Sequence, residues 1–103
     1  MNKKKAIAEF KKKVADRDAL VAEGLETYPV RLYECTVRGY ETGQGAFRLT
    51  PIYAFGRYET VINDEKSIKT DIEDGFKYKK ACFAQCGRKI RMTGVDFKII
   101  REA

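Results

Sequence analysis

The sequence predicts an α+β domain: a long N-terminal helix packed on a twisted, largely antiparallel sheet, with one or two short inserted helices. Three observations carry that expectation. The first 24 residues keep a helical period, whereas after Pro29 the pattern changes to β-prone runs at 30–38, 47–55 and 58–62. Between them Gly24 and Pro29 punctuate the chain. A length of 103 residues suits one domain, so residues 1–103 are read as a unit. No internal repeat, low-complexity tract or linker interrupts it.

In the first segment, Ile7, Phe10, Val14, Val21 and Leu25 fall within a stripe about 60° wide on a helical projection. Lys4, Lys5, Lys11, Lys12 and Lys13 point away from it. Asn2 is a natural N-cap, and Gly24 tolerates the left-handed conformation that ends a helix. Too few heptads are present for a coiled-coil seam, so the stripe is expected to lie on a sheet.

Residues 30–38 are β-prone, with Tyr33, Cys35 and Val37 on one face. Glu41-Thr42-Gly43-Gln44-Gly45 reads as a turn or short loop rich in permissive glycine. Phe47, Leu49, Tyr53 and Phe55 then alternate with Arg48, Thr50 and Ala54, as in a half-buried strand. Pro51 lacks an amide donor and predicts an edge position or a bulge there. A third strand is expected from Tyr58 to Ile62, then a turn or helix start at 63–66 and a short acidic stretch ending at Gly75. Residues 77–86 fit either a helix stopped by Gly87 or a strand. Farther on, Ile90 and Met92 alternate with Lys89, Arg91 and Thr93. Val95, Phe97 and Ile99 resume the alternation with opposite parity after Gly94, which reads as a bulge or hairpin.

Several function classes are disfavoured by composition. The chain has no histidine, so Ser-His and Cys-His nucleophilic pairs are impossible within it. Its single serine, Ser67, lies in a polar segment. An odd count of three cysteines argues against a disulfide framework. Cys82 and Cys86 are spaced i, i+4 and with Cys35 offer three zinc-type ligands, but their neighbours Ala81, Phe83 and Ala84 are apolar. Core packing, slow reaction with thiol reagents and no bound metal are the expectation. Glu65, Asp71, Glu73 and Lys69 supply the residue types of a nuclease, yet an exposed acidic turn explains them equally. Gly43-Gln44-Gly45 lacks the Lys and Ser/Thr of a phosphate loop. No catalysis, metal or cofactor is therefore expected. With no signal-peptide pattern and no apolar run of spanning length, no membrane association is expected, and the reading is cytoplasmic.

What remains is charge. The chain carries net +6, distributed as +3 over residues 1–24, −4 over 58–74 and +6 over 75–103. The C-terminal cations Lys77, Lys79, Lys80, Arg88, Lys89, Arg91, Lys98 and Arg101 interleave with Phe76, Tyr78, Phe83 and Phe97. Cations follow a phosphate backbone and aromatic rings stack on unpaired bases. These eight residues are thus the candidate surface for nucleic acid or a nucleoprotein. The alternative is a small protein inhibitor or adaptor that meets an acidic protein surface. Compact basic domains of this composition suit the accessory proteins of phages and mobile elements.

Overall fold

A computed structural model describes residues 1–49 and 51–103. Thr50, expected on an exposed strand face, lies outside the described residues. The first helix, α1 (Lys3–Ala22), begins as anticipated: Lys5 N donates to the Asn2 side-chain oxygen at 2.8 Å. Gly24, at φ +81°, turns the chain out of it, and Leu25 N reaches back to Leu20 O at 3.1 Å. Ala6 and Phe10 are buried, with Ile7 and Val14 packed beside them. The rest of the stripe departs from expectation. Val21 and Leu25 are 52% and 54% exposed, because the sheet ends before the last turns of the helix reach it.

β1 (Arg31–Glu41) is the spine of a four-stranded antiparallel sheet. One edge pairs with β4 (Ile90–Glu102) along its whole length, from Arg31↔Glu102 to Glu41↔Ile90. Two register shifts interrupt that ladder, one of them beside Gly94 as the parity switch predicts. The other edge is shared by β2 (Gly45–Arg48) and β3 (Ile52–Gly56), which together replace one continuous partner. Between Gly39↔Phe47 and Cys35↔Ile52 the register advances by one residue, at the segment containing Pro51. A one-residue advance reverses every facing. Phe47 consequently lies over Gly39, where a Cβ would overlap its ring, whereas Tyr53 and Phe55 pack with Leu32 on the opposite face.

No strand forms at 58–62. Thr60 instead caps α2 (Val61–Gln85), its hydroxyl accepting from Asn63 N at 3.2 Å. The β-branched run Thr60-Val61-Ile62 is a cap and a first turn. The acidic stretch and residues 77–85 belong to this one 25-residue helix, which runs through Gly75 without a break. A lone glycine costs an interior helix only about 1 kcal/mol relative to alanine. Four-residue spacing of Asp64, Ile68, Ile72 and Phe76 gives α2 a continuous sheet-facing side that offsets the cost. Gly87, at φ +74°, follows its end as expected.

The helices take opposite faces because Leu32 and Tyr33 are consecutive strand residues. α1 covers Leu32, Tyr53, Phe55 and Ile100. α2 covers Tyr33, Cys35, Ala54, Val95 and Phe97, with the Tyr33 and Phe97 rings edge to face at 6.1 Å. The α+β architecture on an antiparallel sheet stands, elongated to 55 × 24 × 21 Å.

One buried polar cluster ties α2 to the sheet. The Asp64 carboxylate is fully buried and accepts from Arg31 Nη1 at 2.9 Å, the Tyr33 hydroxyl at 2.8 Å and Tyr58 N at 2.8 Å. Arg31 also donates to Glu102 Oε2 and to the carbonyls of Tyr58 and Glu59. Glycine is required at position 56, since a Cβ there would overlap the carboxyl of Asp64. Burial and the Asp64 hydrogen bond both push the Tyr33 phenol well above its ordinary range.

Candidate functional site

The eight C-terminal cations do not share a face. Lys77 and Lys80 are exposed on α2, Lys77 within 3.8 Å of Asp74. Lys79 is half-buried on another side of the same helix, its amine 6.0 Å from the Phe83 ring. Arg88 is engaged: two hydrogen bonds of 2.8 and 2.7 Å join it to Glu41, and its guanidinium stacks 4.4 Å from Phe83. Lys89 is exposed just before β4, where its carbonyl accepts from Thr42 N. Arg91, Lys98 and Arg101 project from β4 toward the face that α1 occupies, and Arg101 sits near the far end beside Leu32. A helix distributes neighbouring residues around its axis, so closeness in sequence does not make Lys77, Lys79 and Lys80 one surface.

A different basic surface emerges on the sheet itself. α1 touches the start of β1 and β3 and leaves the other half of its face uncovered. Register places Thr36, Arg38 and Tyr40 of β1 on this open half, with Ala46 and Arg48 of β2 and Arg91, Asp96 and Lys98 of β4. Arg38 and Arg48 are direct cross-strand partners. Arg38 crosses over Gly94, where a Cβ would overlap the guanidinium, to bond Asp96 Oδ2 at 2.9 Å. Tyr40 is 38% exposed, with the Arg91 guanidinium 5.2 Å from its ring. Four cations thus stand against two carboxylates, Asp96 and Glu34, the latter directly opposite Lys98, around an aromatic ring. Like charges placed directly opposite on a sheet destabilise it by up to about 1 kcal/mol.

Sequence reasoning missed Arg38, Tyr40 and Arg48. A signal was present: if Val37 faces inward, its neighbour Arg38, and Tyr40 beyond it, fall on the outer face. What pairs with them was not readable.

The remaining chemistry is structural. Arg88 holds Glu41 below the usual carboxylate range, chiefly through its hydrogen bonds. A lowered folded value means the contact contributes stability above the ordinary carboxylate pKa and loses it as pH falls through the lowered one. The stability difference between wild type and Glu41→Gln should accordingly be constant above about pH 5 and close below about pH 4 in urea titrations. A difference independent of pH down to pH 3 would contradict the assignment.

The cysteines correct an expectation. Cys35 is buried, and burial pushes its thiol up to about 11. Cys82 and Cys86 are exposed, Cys82 in the last turn of α2 and Cys86 at the cap that ends it. Two thiols should therefore react with an aromatic disulfide reagent within minutes in the folded protein, and the third only on denaturation. One fast thiol, or three, would contradict this placement. Among the described residues no group of three or more Cys, Asp or Glu side chains could hold a metal ion, so Glu65, Asp71 and Glu73 do not converge on one.

A concavity of about 460 Å³ lies on the other face, between α2 and β3. Comparison with known proteins finds no matching family model, no matching curated protein and no matching solved structure. Among the described residues no helix is long and apolar enough to cross a membrane.

Proposed function

We propose that this is a non-catalytic binding protein that engages nucleic acid, or the nucleic acid of a nucleoprotein, through the uncovered half of its sheet. The observation that carries the reading is the direct cross-strand pair Arg38 and Arg48, flanked by Arg91 and Lys98. Such a pair costs folding stability, and a polyanion relieves that cost on binding. Tyr40 beside Arg91 offers a ring on which a base can stack. Three free thiols suit a reducing, cytoplasmic setting.

Anisotropy titration of labelled DNA and RNA oligonucleotides tests the reading. About four phosphate contacts predict saturable binding whose logarithm falls with log salt at a slope of roughly −3 to −4. No saturable binding to any oligonucleotide at low salt would end the proposal.

A second reading, a small inhibitor or adaptor of the phage-accessory kind, draws on the other end of the molecule. There Leu20, Val21, Leu25 and Tyr28 are all about half exposed on and after the overhanging end of α1. Apolar anchors of that kind meet a protein partner and give weak salt dependence.

A further inference from the structure

We propose that α2 and the free edge of β3 form a groove that takes an extended peptide from another protein as an added strand. The groove is lined by Val37, Ile52, Ala54, Ile68, Ile72 and Phe76, an apolar floor. Its volume of about 460 Å³ falls within the ordinary range for ligand sites. Tyr53 and Phe55 also border it, although their side chains pack with Leu32 on the α1 face. Residues of both facings of β3 therefore line the groove, which runs along that strand and reaches β1 at Val37. The outer edge of β3 is unpaired: among the described residues β3 pairs only with β1. A strand edge beside an apolar trough provides both parts of strand addition, backbone hydrogen bonds for affinity and pockets for alternate side chains.

Dimensions and charge define the occupant. The helical wall runs from Ser67 to Lys79, about 18 Å at 1.5 Å per residue, which matches a strand of five or six residues. Gly75 sits about two-thirds of the way along this wall, and a Cβ added to it would meet nothing within 4 Å. Its missing side chain keeps the trough open. Asp71 and Lys79 stand one helical turn to either side of Gly75, and neither has an ion-pair partner among the described residues. Gly56 adjoins Asp64, so the end of β3 meets the start of α2 and the two elements run antiparallel. The complementary peptide is apolar at alternate positions, basic near Asp71, and acidic or carboxyl-terminal near Lys79. In that direction it runs antiparallel to β3. This site lies on the opposite face from the arginines and stands independently of the nucleic-acid reading.

The probe is a displayed random heptapeptide library selected against the wild-type protein, followed by labelled synthetic copies of the enriched sequences. Enrichment of alternating apolar residues with an acidic C-terminal end is expected. Binding should shift backbone amide resonances at residues 52–55 and 67–79. Gly75→Leu fills the trough and should weaken binding at least tenfold while melting no lower than wild type, because leucine favours the helix. Lys79→Glu should reverse the preference to a basic end. Nucleic-acid affinity should be unchanged in Gly75→Leu, which alters no charge, so loss of either activity alone is distinguishable. The proposal is overturned by no enrichment, by enriched peptides that bind Gly75→Leu as tightly, or by self-association of wild type that Gly75→Leu abolishes, which would make a second copy the occupant.

Discussion

Asp64→Ala is expected to cost about 3–5 kcal/mol, the largest loss from any single substitution here. The carboxylate is fully buried and accepts from Arg31, Tyr33 and Tyr58 N. Removing it strands a guanidinium that is itself buried and leaves a phenol and an amide without their acceptor. Glu102 remains bonded to Arg31 at 2.9 Å, but its side chain is half exposed and water screens it. Tyr33→Phe, which removes one donor and leaves the ion pair, should cost only about 1–2 kcal/mol. Chemical denaturation measures both. A loss below about 1 kcal/mol for Asp64→Ala would mean that Glu102 alone satisfies Arg31 and that the cluster does not anchor α2.

The second large effect is on binding. The triple change Arg38→Ala, Arg48→Ala, Arg91→Ala should weaken oligonucleotide affinity by about two orders of magnitude, taking at least about 1 kcal/mol for each charged contact. The salt slope should shrink by two to three units, because each lost phosphate contact retains its counterions. Sequence preference should be unaffected, since phosphate contacts carry no base information. Stability should hold or rise slightly, because the Arg38 and Arg48 repulsion is gone while the Asp96 pair it partly offsets is exposed. By contrast, Lys77→Ala with Lys80→Ala on α2 should alter neither affinity nor slope appreciably. An equal loss from the α2 pair would move the site to the helix.

The molecule was legible where local chemistry and one period sufficed. Asn2, Gly24 and the stripe through Val14 placed α1, and the parity of Tyr33, Cys35 and Val37 placed the inner face of β1. Periodicity says nothing about where a sheet ends, so Val21 and Leu25 continued a pattern that has no surface to cover. Phe47 and Phe55 share parity in the sequence but not in space, because the register advances near Pro51. Gly75 and the acidic residues disguised a helix that depends on its Ile68, Ile72 and Phe76 face rather than on propensity. The site failed for a related reason. A basic tail can be counted along the chain, but a surface is made by pairing, and nothing in the sequence states that Arg38 sits opposite Arg48.

The most direct measurement is a backbone amide shift map on adding a short single-stranded oligonucleotide. Perturbations centred on Arg38, Tyr40, Arg48, Arg91 and Lys98, fading under α1, are expected. Perturbations confined to Lys77–Lys80, or no change at saturating oligonucleotide, would contradict the proposed site.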